Sequence, residues 1–370
     1  MRAKSLKMSL NQMPINNDFI AQNANFRELK NTKISSHFIY YDNKKLINLA
    51  SNDYLGIASS KALRDEFLAS LGDELFFGSG ASRLVYSASD EYNALESDFE
   101  ARFKGKKALI FNSGYAANLA TISALNDENT LFLADKLVHA SMIDALKSTH
   151  FKRFAHNDAN ALEALLKKEH KKYKRIIILC ESLYSMDGDY APLMDFRHLA
   201  DIYGALLYVD EAHSFFALNE LGECDKQGIT SDFMLITFSK ALGGVGAVLL
   251  SDENTHKMLV NKARALIYST ALPSINIAWS RFILNKDFSA RRAKLAKNIE
   301  LLGLSSSAIA PYLCDSSSHA LQASKMLAKH GYFVPAIRPP TVKQPRLRIS
   351  LRADISSDEI QRFKGLLSEI

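Results

Sequence analysis

An α/β fold around a mostly parallel sheet is what this chain predicts, and three observations predict it. The candidate strands are continuously apolar rather than alternating, and from residue 51 to 270 they take turns with segments of helical period. Charged residues that close two such strands, Asp210 and Lys240, are 30 residues apart, the length of a strand, a return helix and a second strand. Continuous apolar runs mark strands covered on both faces, and helices on both faces are what a parallel sheet carries.

Residues 1–50 form a polar, weakly periodic opening segment: an irregular arm, or a short helix with a hairpin. Strand candidates follow at 108–111, 131–134, 176–179, 206–209, 234–237 and 246–250, inside a predicted large domain of 51–284. Residues 285–370 read as a smaller α+β domain. Lys- and Ala-rich helical segments at 290–303 and 316–330 precede a strand region broken by Pro335, Pro339, Pro340 and Pro345. Ser356 and Glu359 have capping-box spacing ahead of Ile360, Phe363, Leu367 and Ile370, which share one helical face.

At 370 residues the chain exceeds the usual single domain, and its 47% apolar and 23% charged content is that of a globular protein. The net charge of +6 is spread over short clusters such as Lys104, Lys106 and Lys107. Solvated faces account for these, with mild steering of an anionic substrate. No basic stripe interleaved with aromatics occurs, so no nucleic-acid partner is expected. Cys180, Cys224 and Cys314 are odd in number and far apart, which argues against a disulfide framework and suits a reduced, cytoplasmic setting. No metal spacing joins them. The basic start lacks the apolar stretch of a secretory signal. Nowhere do roughly 18 apolar residues run together, so no membrane partner is expected.

The chemistry starts at Lys240, in the hydroxyl-rich run Thr237-Phe238-Ser239-Lys240-Ala241-Leu242-Gly243-Gly244. Upstream, the apolar run 205–209 ends in Asp210-Glu211-Ala212-His213. Both can stand at the carboxyl edge of one parallel sheet, where α/β folds bind ligands. An amine opposite a buried carboxylate suits pyridoxal phosphate (PLP), the lysine for its aldehyde and the aspartate for its ring nitrogen. A solvated lysine and a helix-capping aspartate are the plainer readings of the same residues. Ser113-Gly114-Tyr115 lies between strand 108–111 and a helix predicted to open at Ala116. Free N–H groups at a helix start bind anions, so Gly114 and Tyr115 are the predicted phosphate cradle, with the hydroxyls of Thr237 and Ser239 opposite.

Asp-Glu-Ala-His at 210–213 and Thr-Phe-Ser-Lys at 237–240 resemble the paired signatures of the α-oxoamine synthases, PLP enzymes of fold type I. Asn52-Asp53-Tyr54-Leu55-Gly56, Gly78-Ser79-Gly80-Ala81-Ser82-Arg83, the run 113–118, His139-Ala140-Ser141 and Ser185-Met186-Asp187-Gly188-Asp189 stand in that family's order. The resemblance extends from about Leu46 to Arg352. It implies a large, mostly parallel sheet of the seven-stranded type, a smaller C-terminal domain, and a homodimer with shared active sites. It also implies roles. Lys240 would carry the cofactor and then serve as base at the substrate α-carbon. Asp210 would keep the ring nitrogen protonated, His139 would stack on the ring, and His213 and Ser185 would meet its phenolic oxygen. Thr270 would reach the partner's phosphate.

The runs 336–342 and 346–350 resemble the family's carboxylate-recognition region. Arg348 is the implied partner of the amino-acid carboxylate, because a guanidinium matches it bidentately. Asn52 would reach the same group, Thr341 would line the acyl path, and Arg338 would assist there. Runs 51–56 and 336–342 look most like the branch that joins L-alanine to a pimeloyl thioester, carried on coenzyme A or acyl carrier protein. Sister activities with other amino acids and acyl groups share the chemistry and stay open. The chain departs from the family twice. Ser214-Phe215-Phe216 follow His213 where glycines are usual, and Leu84-Val85-Tyr86-Ser87-Ala88 follow Arg83 where another glycine is usual. A dinucleotide-binding oxidoreductase would need a glycine fingerprint that the first strands lack. A PLP carrier without catalysis would have no use for Arg348.

Overall fold

A computed structural model describes residues 31–72, 75–85 and 90–370. Residues 1–30 of the predicted opening segment, and 86–88 of the departure after Arg83, lie outside the described residues. The described chain enters through three short antiparallel strands, β1 (Lys33–Ser35), β2 (Phe38–Tyr41) and β3 (Lys44–Asn48). Asp42 and Asn43, at φ 48° and 58°, form the tight turn between β2 and β3. Such a turn needs positive φ at both central residues, which Asp and Asn tolerate.

Seven strands build the central sheet. They are β4 (Lys107–Phe111), β5 (Thr130–Asp135), β6 (His150–Phe154), β7 (Arg175–Glu181), β8 (Leu206–Asp210), β9 (Phe233–Thr237) and β10 (Ala247–Ser251). Their order is β4-β10-β9-β8-β7-β5-β6, with β10 antiparallel to both neighbours and the other pairings parallel. Alternate residues of one strand feed two different cores. Ile176, Ile178 and Cys180 of β7 pack with Tyr92, Leu95, Phe99 and Phe196 from helices on one side. Ile177 and Leu179 pack with Ala117, Met142 and Leu259 from helices on the other. Both faces are covered, which is why the strands read as unbroken apolar runs. The edge strand β6 was not among the predicted strands: in His150-Phe151-Lys152-Arg153-Phe154 only Phe154 is buried.

Beyond the sheet come the helices Ser289–Leu302 and Ser317–Lys329, where helical segments were predicted. Between them lies β11 (Ile309–Leu313), which was not predicted. Pro311 sits at its centre, tolerated because β11 is an edge strand of the sheet β11-β14-β13. β12 (Tyr332–Phe333) leaves that group and pairs in parallel with β3, tying the start of the described chain to its end. β13 (Ala336–Ile337) and β14 (Arg346–Ser350) complete the small sheet. The last helix, Ser357–Leu367, carries the capping box between Ser356 and Glu359 and buries Ile360, Phe363 and Leu367. All three cysteines are free and buried. Among the described residues, no helix is long and apolar enough to cross a membrane.

Candidate active site

β8 and β9 are neighbouring parallel strands, so their carboxyl ends open at the same edge. Asp210 closes β8, and Lys240 follows three residues after β9 ends at Thr237. The turn after Lys240 requires Gly243: its φ is 61°, and a Cβ there would stand 2.6 Å from the Ala58 backbone nitrogen. Burial lowers the Lys240 amine below its ordinary value, Asp210 opposes that, and Arg348 lowers it further. A buried amine held down in this way gives up its proton more readily than a surface lysine.

The Asp210 carboxylate is held from two sides. Its Oδ1 accepts from the Ala212 N–H at 2.9 Å, and its Oδ2 accepts from Asn118 Nδ2 at 3.0 Å. Asn118 also donates to Ser141 Oγ at 3.0 Å and accepts from the Tyr208 hydroxyl at 2.8 Å. Residues 211–222, all described, form no helix, so the helix-capping reading does not apply. Glu181 stands beside Asp210 in strand register and is buried. Burial, and then the Asp210 charge, push its carboxyl well above the ordinary range.

His139 caps the helix Ala140–Leu146, its Nδ1 lying 2.8 Å from Ser141 Oγ and accepting from the Ser141 N–H at 3.3 Å. The ring meets that of Tyr115 edge-on, 6.5 Å between centroids. The helix predicted to open at Ala116 opens at Gly114 instead, because Ser113 Oγ accepts from the Ala116 N–H at 3.1 Å and caps the earlier turn. Gly114 and Tyr115 therefore supply the first N–H groups of the helix, which have no carbonyl partner within it. A Cβ on Gly114 would fall 2.5 Å from Thr237 Cγ2, so only glycine lets this helix start close against the end of β9. Ser239 is exposed nearby in sequence, and the Tyr115 hydroxyl donates to Asp144. Thr270 is exposed, and its carbonyl accepts from Asn112 of the same chain at 2.6 Å.

At the other end of the cluster, two arginines share one face of β14. Arg346 is neutralised by Asp187 at 2.6 Å. Arg348 donates only to neutral acceptors among the described residues: the Ser185 carbonyl at 2.6 Å, Ser350 Oγ at 2.6 Å and Asn52 Oδ1 at 3.1 Å. Arg348 is 5% exposed. Arg348, Asn52 and Ser185 are thus brought together, Ser185 through its carbonyl. Asn52 Oδ1 lies 3.3 Å from the Tyr54 hydroxyl, which lies 2.6 Å from His213 Nδ1. Burial, then Lys240, Arg348 and His139, hold His213 well below its ordinary pKa, so its ring is neutral. Arg338 and Thr341 lie in the segment after β13, where the Arg338 carbonyl accepts from the Thr341 N–H at 3.0 Å.

Both departures from the family pattern have a physical account where they are described. Phe216 adopts φ 65° where a glycine would be unstrained, and its buried ring packs against Phe215 and Phe288. Glu211 braces this loop, accepting from the N–H groups of Glu223 and Cys224 at 3.0 and 2.7 Å and from Ser182 Oγ at 2.9 Å. Arg83 is held by Glu96 at 2.6 Å and lies over the Tyr92 ring. Sequence reasoning assigned no chemistry to Asn118, Tyr54 or Glu181. The first two stand inside runs that carried the resemblance, and Glu181 is a charged residue closing an apolar strand, the same signal that marked Asp210.

The profile of the family described as aminotransferase class I and II matches residues 44–365. The chain is 39% identical to the 8-amino-7-oxononanoate synthase of Haemophilus ducreyi, over 92% of this chain and 96% of that protein. Its fold matches the crystal structure of 8-amino-7-oxononanoate synthase from Francisella tularensis with a TM-score of 0.73 at 27% identity, covering 88% and 97% of the two chains. It matches a solved chain described as SPT with a PLP internal aldimine with a TM-score of 0.84 at 25% identity, covering 95% and 96%. The chain belongs to the aminotransferase class I and II family, as a PLP-dependent enzyme of fold type I whose relatives are named 8-amino-7-oxononanoate synthase.

Proposed function

We propose that this enzyme condenses L-alanine with a pimeloyl thioester, releasing CO2 and the thiol carrier, to form 8-amino-7-oxononanoate for biotin synthesis. One observation carries the amino-acid half: Arg348 is a buried cation with no carboxylate partner among the described residues, in a cluster whose charges also reach Lys240. Burying a charge is costly unless a partner arrives, and an amino-acid carboxylate is such a partner. The names of the relatives support the alanine and pimeloyl assignment.

The residues fit PLP. Lys240 would hold its aldehyde carbon, Asp210 its ring nitrogen, His213 and Ser185 its phenolic oxygen and His139 its ring face. The Gly114 and Tyr115 N–H groups, with the hydroxyls of Thr237 and Ser239, would cradle its phosphate. The absence of a Cβ at residue 114 is what brings those N–H groups up against Thr237. When bound, PLP supplies a ring that accepts the electrons of the substrate α-carbon. Asp210 would hold a proton on the ring nitrogen, helped by Asn118, which fixes the carboxylate's direction. Lys240, free once the amino acid is bound, moves the α-proton. Arg348 and Asn52 orient the carboxylate that will leave. Thr341 and Arg338 are the proposed acyl-side residues.

The working unit in this reading is a homodimer. Phe77 and Tyr268, 82% and 71% exposed in the single chain, are large apolar groups that a second copy would cover, and Thr270 lies beside Tyr268 for the partner's phosphate. The division into 51–284 and 285–370 belongs to the same proposal, with β1–β3 joined to the smaller unit through β12. The test is an amino-acid screen with pimeloyl-coenzyme A and pimeloyl-acyl carrier protein, following thiol release. L-alanine should give the fastest release. Faster release from glycine with acetyl-coenzyme A would move the enzyme to a 2-amino-3-ketobutyrate ligase activity.

A further inference from the structure

Tyr54 is fully buried, and its hydroxyl has two hydrogen-bonding neighbours. Asn52 Oδ1 lies 3.3 Å away and His213 Nδ1 lies 2.6 Å away. A phenol has a single proton, so it must be placed on one of the two. Asn52 Oδ1 is at the long end for an O–H donor and already accepts from Arg348 Nη2 at 3.1 Å. His213 Nδ1 is short and has no other partner among the described residues. The proton therefore points at His213.

We propose that the Tyr54 hydroxyl fixes His213 as the Nε2–H tautomer, so that the histidine offers a donor to the phenolic oxygen of PLP. This rests on the reading of His213 as a cofactor contact. A neutral imidazole has one N–H, and once Nδ1 accepts from Tyr54 the remaining proton is on Nε2. Burial pushes the phenol up to about 12, with Arg348 opposing, so Tyr54 keeps its proton throughout the working range. A donor at Nε2 stabilises a phenolate. The other tautomer would turn a lone pair toward it. Tyr54 is thus a positioning residue: it acts on the cofactor through His213, and it does so in the same hydrogen-bonded line that leads through Asn52 to Arg348.

The tautomer is readable without turnover. In apoprotein labelled with 15N-histidine, the ring signals of His213, identified by their loss in His213→Gln, should show a bare Nδ1 and a protonated Nε2. Tyr54→Phe keeps the buried ring and removes only the hydroxyl, so its His213 should gain the Nδ1–H form. In PLP-loaded protein the same substitution should raise the pH midpoint of the visible band, because the phenolic oxygen loses a donor. A wild-type Nδ1–H or doubly protonated ring overturns the proposal, as does an unchanged tautomer or midpoint in Tyr54→Phe. If the tautomer is as proposed but adding PLP leaves the His213 signals unmoved, the tautomer assignment stands and the cofactor role of His213 falls.

Discussion

Two clusters of charge stand at the carboxyl edge of the same sheet, and they are built in opposite ways. Beyond β5 and β6, His156 lies between Asp135 and Asp189, at 2.9 and 2.8 Å. Carboxylates only accept, so both ring nitrogens carry protons and each carboxylate there faces a cation. Beyond β8 and β9, Asp210 meets the neutral Asn118 amide and a backbone N–H, and Arg348 meets only neutral acceptors among the described residues. The first cluster carries its own counter-ion and ties Asp189, at the end of the 185–189 turn, to the ends of β5 and β6. The second keeps charge available for a ligand. The same contrast recurs on β14, where Asp187 satisfies Arg346 and nothing anionic among the described residues satisfies Arg348.

The largest break in that contrast should come from Asp210→Asn. An amide cannot hold the ring proton, so turnover should fall about 100- to 1,000-fold, the scale of removing one preorganised electrostatic partner. PLP should stay bound. Near-normal kcat would remove Asp210 from the chemistry. Next, Arg348→Ala should raise the KM for alanine roughly 30- to 1,000-fold, from a loss of about 2–4 kcal/mol, with a much smaller change for the thioester. Arg346→Ala should do the reverse of this: it strands Asp187 and lowers Tm, while alanine binding changes far less. Equal effects on alanine from the two substitutions would erase the distinction between paired and unpaired arginine.

Smaller effects sharpen the comparison. L-alanine should be preferred to glycine by only about 1–3 kcal/mol, roughly 10- to 200-fold, since one methyl in a pocket discriminates no better. Detectable glycine turnover is therefore expected, and glycine preferred to alanine in steady-state kcat/KM would contradict the substrate assignment. The paired cluster makes a prediction about pH. Burial alone would lower the His156 pKa, but its bonds to Asp135 and Asp189 carry it up to about 10. Its folded value lies above its unfolded one, so the stability it adds is complete below about pH 6.5 and is lost as pH rises through about 10. His156→Gln should flatten the fall in Tm over that interval. A Tm profile identical to the wild type would show that the triad contributes no pH-linked stability.

How far each cluster could be read from the sequence depended on how local its signal was. β5, β7, β8 and β9 were legible because both faces are buried, and the residues closing β8 and β9 exposed the Asp210 and Lys240 pair. β6 was hidden by its exposed, basic edge. The Arg346-Leu347-Arg348 run places two arginines on one face, and only Asp187, 159 positions from Arg346, tells them apart in the fold. Resemblance chose Arg348 where composition and spacing could not. Tyr54 and His213 are likewise 159 positions apart, so their bond left no trace in any local pattern. The Phe216 turn was unreadable for a different reason: its positive φ is imposed by packing against an uncooperative residue type.

The central claim is that Lys240 holds the cofactor. Borohydride reduction of the yellow protein, followed by proteolysis and peptide sequencing, tests it most directly. The account predicts one PLP-modified peptide, containing Lys240, with the label absent from Lys240→Ala, which should bind PLP only weakly and release no thiol. A modified peptide that lacks Lys240, or a fully active Lys240→Ala protein, would contradict it.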